Sequence, residues 1–391
     1  MKIVFGRQIS SFSIGFIIII AVLIFWVHQY NQEKEPIKVG LSITLTGRPS
    51  TFGVHVRNGI TLAQNQLNQA GGIGGRPIEL IIKDDKGKPE QALRVDQELL
   101  DAGVAAIIGH SLSTPTVASV PLMNNNRRLL ISPTASTADL SGSDDFFIRI
   151  TTPVDIKAPS LATLALDKLE LQTIAVVYDL SNPNYTVSLF RYFKQEFEEL
   201  GGQPPIATPF NSKDNFSAPK IVQKIISADP EGVFIISNAI HAAMITQHLR
   251  SAGSKVKIIV SQWGFPDPAF IKNGGNAVEG AVSLAEFNAE SNSKSFIKLK
   301  AEYEHHFGSP IGSASQRGYE VAQILFSALS ETEDPAKLKA AIIRRKVFES
   351  VDGNPIIIDD FGDVARTLYI LEIKNRKIRT TGRIEPRALK N

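Results

Sequence analysis

At 391 residues, 43% of them hydrophobic and 21% charged, the chain is long enough for two domains with cores of their own and ordinary in polarity for a folded protein. A formal net charge of +3, with no lysine/arginine block interleaved with aromatics, gives no support for nucleic-acid binding. The absence of cysteine excludes disulfides, thiolate metal sites and a lipid-modified N-terminal cysteine.

Lys2 and Arg7 precede an apolar run over residues 12–27, broken only by Ser13 and Gly15 and near the lower limit for crossing a bilayer. A cleaved signal peptide wants small residues at −3 and −1, whereas Phe-Trp-Val-His-Gln-Tyr follows here. Residues 1–30 are therefore read as an uncleaved signal-anchor, a transmembrane helix with its N-terminus in the cytoplasm; a cleaved signal is the alternative. The folded part is then expected on the periplasmic or extracellular side of the cell membrane.

From Ile37 the pattern alternates strand and helix, which predicts α/β layering with largely parallel sheets. Strands are expected over 37–43, 77–83, 105–108, 129–131 and 146–149, with helices over 55–69, 89–101 and 116–125. In the first helix Val56, Ile60, Ala63 and Leu67 share one face. Gly71–Gly75 then turns the chain into the second strand. That order is helix, glycines, strand, the reverse of a dinucleotide-binding fingerprint, so the glycines make a packing turn. A second series follows: helix 153–169, strand 173–178, helix 185–200 with Phe190, Phe193, Phe197 and Leu200 as its buried stripe, then strand 206–209, helix 218–227, strand 232–236, helix 241–252 and strand 257–261. Late elements are a strand at 278–284, helices at 292–307, 316–330 and 335–344, and a hairpin within 355–378.

Several ordered stretches together resemble one family. Ile-Lys-Val-Gly-Leu-Ser-Ile-Thr-Leu-Thr-Gly (37–47), the helix-and-glycine stretch 58–85, Ile-Ile-Gly-His-Ser-Leu-Ser (107–113), Leu-Ile-Ser-Pro-Thr-Ala-Ser-Thr-Ala-Asp-Leu (130–140) and the late stretch 351–363 are similar to the leucine/isoleucine/valine-binding family of type I periplasmic solute-binding proteins. The resemblance implies two doubly wound α/β lobes joined by a hinge. It also implies crossings near Thr151, Asn276 and Phe348, so that lobe 1 is 31–150 plus 277–347 and lobe 2 is 151–276 plus 348–391.

In open parallel sheets, ligands bind outside the carboxyl ends of the strands. Three such loops are rich in hydroxyls or flexible: the one after Ile43 with Phe52, the one after Ile108 with Ser111 and Ser113, and the one after Ile131. Thr114 is placed to cap a helix with Pro115 at its first position, leaving amides that favour a carboxylate. By the resemblance, Ser113, Thr134 and Ser136 match contacts to a ligand carboxylate, Phe52 an aromatic cover, and Tyr185 the tyrosine that closes from the second lobe. Where amino-acid binders of the family carry an acid for the ligand ammonium, this sequence has Trp263; Ser237–Ile240, with Asn238, replaces an aromatic-rich turn. A buried ammonium without an anion is costly, so a carboxylic or aromatic acid becomes as plausible a ligand as leucine. Asp179 is either a substitute acid or a helix cap.

Chemistry of catalysis is not visible. Gly109–Ser113 lacks the final glycine of a nucleophile elbow, His110 reads as a packed turn residue, the histidines show no metal-ligand spacing and no phosphate loop appears. The expectation is a non-enzymatic capture protein without cofactor, working with the permease and ATPase subunits of an ABC importer. A ligand-sensing module of a membrane signalling complex is the alternative.

Overall fold

The computed structural model describes residues 34–47, 50–214 and 216–386. The expected transmembrane helix lies outside them; among the described residues no helix is long and apolar enough to cross a membrane.

The first lobe alternates β1 (Ile37–Ile43), α1 (Ser50–Gln69), β2 (Ile78–Asp84), α2 (Pro89–Asp101), β3 (Ala106–Gly109), α3 (Ser113–Asn126), β4 (Leu129–Ser132) and β5 (Phe147–Arg149). Its strands form a fully parallel sheet in the order β2-β1-β3-β4-β5. Because both faces are covered, β1, β3 and β4 are nearly continuous apolar runs. α1 ends as its glycines dictate: Gly72, with φ of 71°, donates its N–H to Leu67 O. Asn68 then exchanges two hydrogen bonds with the backbone of Ile78, which fixes where β2 begins.

The second lobe starts with α4 (Val154–Thr163), which continues as a π-helical turn to Lys168, followed by β6 (Ile174–Asp179), α5 (Pro183–Glu199), β7 (Ile206–Phe210), α6 (Ala218–Ala228), β8 (Gly232–Ile236), α7 (Ala239–Ser251), β9 (Lys257–Val260), α8 (Pro268–Gly274) and β10 (Val282–Ala285). The buried stripe of α5 is Tyr185, Leu189, Phe193 and Phe197, at spacings of four. Leu200, expected in it, is exposed, and Phe190 is half-buried and stacks on Tyr178.

Helices α9 (Lys294–Phe307), α10 (Ser313–Glu331) and α11 (Leu338–Arg345) return to the first lobe, followed by the short ribbon β11 (Val347–Phe348) and β12 (Ile356–Ile357). The chain ends in the hairpin β13 (Leu368–Lys374) and β14 (Lys377–Ile384), later than the hairpin expected within 355–378. It extends the second sheet to β14-β13-β10-β9-β8-β6-β7, antiparallel only from β10 outward.

Two expected crossings are corrected by these pairings. β10 lies between β9 and β13, so the chain leaves the second lobe after Ala285 rather than near Asn276. Residues 347–363 stay with the first lobe, where Arg149 N–H donates to Gly362 O and the Arg149 side chain pairs with Asp363 at 2.6 Å; the last crossing is at Arg366 rather than Phe348. A strand joins whichever sheet offers it a ladder, which periodicity does not report.

α1 and α10 pack closely because glycines face each other's backbones. A Cβ on Gly59 would sit 2.1 Å from Ser315 O, and one on Gly318 2.2 Å from Val56 O. That contact sets the position of the neighbouring Arg317.

Candidate functional site

The carboxyl ends of the two sheets face each other across a narrow, nearly closed cleft with room for about 20 Å³ of water, lined from the first lobe by Phe52, Ser111, Leu112, Ser113, Thr134, Ser136 and Arg317 and from the second by Asn182, Tyr185, Gln262 and Trp263. Of the residues singled out in the sequence, Phe52, Ser111, Ser113, Thr134, Ser136, Tyr185 and Trp263 are thus brought to one cavity. Asn238 is not. It caps α7, its Oδ1 accepting from Ile240 N and His241 N, the ordinary use of asparagine before a helix.

The hydroxyl wall is held by its own bonds. Ser113 Oγ accepts from Ser136 N at 3.2 Å, and Thr134 Oγ1 donates to Ser111 O at 3.0 Å. The expected cap at Thr114 is corrected: α3 begins at Ser113 with Leu112 before it, so Thr114 and Pro115 are its second and third residues. Proline is tolerated there because the first-turn amides have no partner within the helix. Thr114 N–H donates instead to Asn182 Oδ1 of the other lobe.

On the opposite wall Tyr185 and Trp263 meet edge to face at 6.1 Å. Burial pushes the Tyr185 phenol up to about 12, so it stays protonated. The Tyr185 hydroxyl lies beside Ser261, but neither oxygen makes a hydrogen bond of normal geometry; Gln262 Oε1, Trp263 Nε1 and Arg317 Nε are also buried and unbonded. No carboxylate lines the cleft. Asp179, the possible substitute acid, is outside the lining, and its Oδ1 accepts from Ser181 N and Ser212 N.

Behind the cleft all three crossings meet at Glu286, which accepts from Thr151 Oγ1 (2.8 Å), Thr152 N (2.6 Å) and Arg317 Nη1 (3.0 Å) and pairs with Lys157 at 3.1 Å. Arg366 N donates to Thr152 Oγ1, and the Arg366 guanidinium pairs with Glu320 at 2.8 Å. Burial would raise the Glu286 carboxyl, but Lys157, Arg317 and Arg366 hold it far below the usual range. Burial, only partly offset by Glu286, lowers the Lys157 ammonium to about 8.

His110 is fully buried between Asp85 (2.7 Å) and Asp96 (3.1 Å). Burial alone would lower its pKa, yet the carboxylates outweigh it and raise the ring to about 10. It is an internal cation tying β3 to the loop after β2 and to α2. A wider groove of about 1320 Å³ runs between α8, α9 and the β13–β14 turn. Thr51 and Pro266–Asp267, from the far ends of the segments that carry Phe52 and Trp263, line it, but none of the hydroxyl-bearing loops after β3 and β4 does.

Asn182, Gln262, Leu112 and Arg317 were missed in the sequence. Asn182 follows a strand end and was within reach of the same reasoning. Arg317 comes from mid-chain helix periodicity, and only the Gly59–Gly318 contact brings it to the cleft. Glu286 carried one signal, a lone acid in the apolar stretch 281–287.

The family profile described as periplasmic binding protein matches residues 36–377. The chain is 23% identical over 340 residues to the leucine-, isoleucine-, valine-, threonine- and alanine-binding protein of Pseudomonas aeruginosa, covering 86% of this chain and 89% of that one. It is 24% identical over 335 residues to the Leu/Ile/Val-binding protein of Escherichia coli, covering 84% and 88%. Among solved structures, a leucine-binding protein from Thermotoga maritima superposes with a TM-score of 0.82 at 24% identity, covering 90% and 99%. A solute-binding protein of an ABC transporter from R. palustris, in complex with benzoate, gives 0.82 at 17% identity, covering 91% and 98%. With its match spanning both lobes, the chain belongs to the periplasmic binding protein family.

Proposed function

We propose that this chain captures a small carboxylate-bearing molecule, branched-chain amino acid-like or another organic or aromatic acid, between its lobes and delivers it to the permease and ATPase subunits of an ABC importer. One observation carries the reading: Ser111, Ser113, Thr134 and Ser136 converge at two strand ends of one lobe and face Tyr185 and Trp263 of the other, in a cleft without carboxylates. Hydroxyls at the N-terminal end of α3 suit an anionic oxygen pair, and the aromatic pair suits an apolar body. The range of acids follows the relatives, which are named for branched-chain amino acids, and structural neighbours in complex with isoleucine, benzoate or 4-hydroxybenzoate.

A ligand touching both walls would favour the closed arrangement over the open one by its differential contacts, about the hinge through Thr151, Glu286 and Arg366. The family points to work outside the cytoplasm, and the apolar run 12–27 would tether the protein to the membrane. Retention of the protein in the membrane fraction after an alkaline wash checks the tether; release would replace it with a cleaved signal.

A thermal-shift screen of the purified protein against amino acids, aliphatic and aromatic carboxylates, amides and sugars tests capture. A ligand at a hundredfold excess over Kd stabilises by about 2.7 kcal/mol. Carboxylates are expected to raise Tm, and Ser113→Ala with Tyr185→Ala to reduce the shift in folded protein. No shift with any carboxylate would retire the proposal.

A further inference from the structure

Resting on the capture reading, we propose that Arg317 is a specificity-determining residue that selects carboxylic acids carrying a second oxygen and no amino group. Its guanidinium lines the cleft, is fully buried and is only partly used. Nη1 donates to Glu286 and Nη2 to Ser313 Oγ, while Nε has no partner.

Arg317 shares its carboxylate with a second cation. Glu286 is the one carboxylate paired with both Lys157 and Arg317. Arg366 has Glu320 as its own partner, and the half-buried Asp352 lies on that side, bonded to Ser350. An ammonium brought into the cleft would therefore meet the Arg317 guanidinium with no carboxylate in the lining to offset its lost hydration.

The unbonded atoms agree with the charge. Arg317 Nε and Trp263 Nε1 can only donate, and the Tyr185 hydroxyl donates or accepts. Gln262 Oε1 is the one strict acceptor among the unbonded atoms of the lining. A hydroxyl fits this set, accepting from the donors and giving its single proton to Gln262. An ammonium, with three donors and no acceptor, leaves the arginine and indole N–H groups unpaired, and a donor-rich site rejects such a ligand strongly.

Isothermal titration calorimetry on matched pairs differing only in hydroxyl for ammonium tests the assignment. The pairs are 2-hydroxy-4-methylpentanoate with leucine, 3-phenyllactate with phenylalanine, and 4-hydroxymethylbenzoate with 4-aminomethylbenzoate. In each pair that binds, the hydroxy acid is expected at least about tenfold tighter. Arg317→Gln should shrink that ratio to less than about threefold, an effect that mere destabilisation would not produce. If the glutamine variant does not fold, Arg317→Lys serves. It keeps the charge but lacks Nε, so the ratio should fall only part of the way, through weaker binding of the hydroxy acid. An amino acid binding as tightly as its hydroxy partner overturns the role of Arg317 and leaves carboxylate capture standing, as does a ratio unchanged in Arg317→Gln for the role alone. No binding by any member overturns the role of Arg317, and overturns capture as well only where no carboxylate raises Tm.

Discussion

Asn182 Oδ1 in the second lobe accepts the backbone N–H of Thr114, in the first turn of α3 in the first lobe, at 3.0 Å. Asn184 adds two further links, from its N–H to Thr114 Oγ1 at 3.4 Å and from Nδ2 to Asp139 Oδ2 at 2.9 Å. At the far edge Thr51 donates to Asp267 at 3.1 Å. The closed lobes therefore hold each other directly, and a ligand would have to supply only part of the closing free energy. Each neutral bond contributes about 1 kcal/mol. Asn184→Ala, whose side chain is not in the cleft lining, should weaken ligand binding by about fivefold and raise the radius of gyration measured by small-angle scattering without ligand. Asn182→Ala should do at least as much. Unchanged affinity in Asn184→Ala would mean that the contact does not differ in strength between open and closed forms.

The buried His110 cation gives the fold a defined pH dependence. Its pKa in the folded protein, about 10, lies above the unfolded value of 6.5, so its stabilisation is complete below pH 6.5 and is lost as pH rises through 10. Lys157 acts in the opposite sense, its folded form being half deprotonated by about pH 8. Asp96, held low by His110 despite burial, and His55, lowered by burial, change at or below pH 6.5. Between pH 6.5 and 8 stability should fall by about 1 kcal/mol in urea denaturation, the loss at His110 outweighing the gain at Lys157. His110→Gln should cost about 3–5 kcal/mol, because two buried carboxylates lose their counter-charge, and should flatten the profile in this window. A flat profile in the unsubstituted protein would show the ring to be neutral when folded.

The parts of this molecule legible in the sequence are those set by local pattern. β1 and α2 fall on the residues that periodicity and capping mark, and seven of the eight expected ligand residues reach one cleft because strand ends in a parallel sheet must converge. Asn238 misled because a strand-end asparagine and a helix cap look the same until the helix is seen. The hinge was illegible for a different reason. Glu286, Arg317 and Arg366 are far apart in the chain, the lone acid at 286 is their one local signal, and only the pairing of β10 with β9 and β13 brings the crossings together.

The glycine contact between α1 and α10 is a packing requirement with consequences at the cleft. A methyl group on Gly318 would stand 2.2 Å from Val56 O, which is backbone and cannot swing aside. Gly318→Ala should destabilise the protein by about 1–3 kcal/mol, the usual cost of overpacking, measured by denaturant midpoint at constant m. Because the helix must shift to accept the methyl, the adjacent Arg317 moves with it, and ligand affinity should fall as well. Lost stability with full affinity would mean that the arginine is positioned by Glu286 and Ser313 alone.

Glu286 ties the three crossings, and its replacement separates a structural ion pair from a hinge device. Glu286→Gln keeps the shape but removes the one carboxylate paired, among the described residues, with Lys157 and Arg317, both buried. An uncompensated buried cation typically costs about 3–5 kcal/mol. The loss should be smaller near pH 9 than at pH 7, since Lys157, whose pKa burial already depresses, can then be neutral. Adding Lys157→Met should recover part of the loss, and the cycle of single and double variants gives the coupling directly. Coupling near zero would mean that Arg317 alone is the partner Glu286 serves. The single oxygen of the glutamine can still accept from Thr152 N, while its amide nitrogen can only donate, toward Thr151 Oγ1, so the backbone contact at the hinge is kept while its charge is removed. If closure depends on that charge, the double variant regains stability but not ligand affinity; if it depends on the hydrogen bonds, both return together.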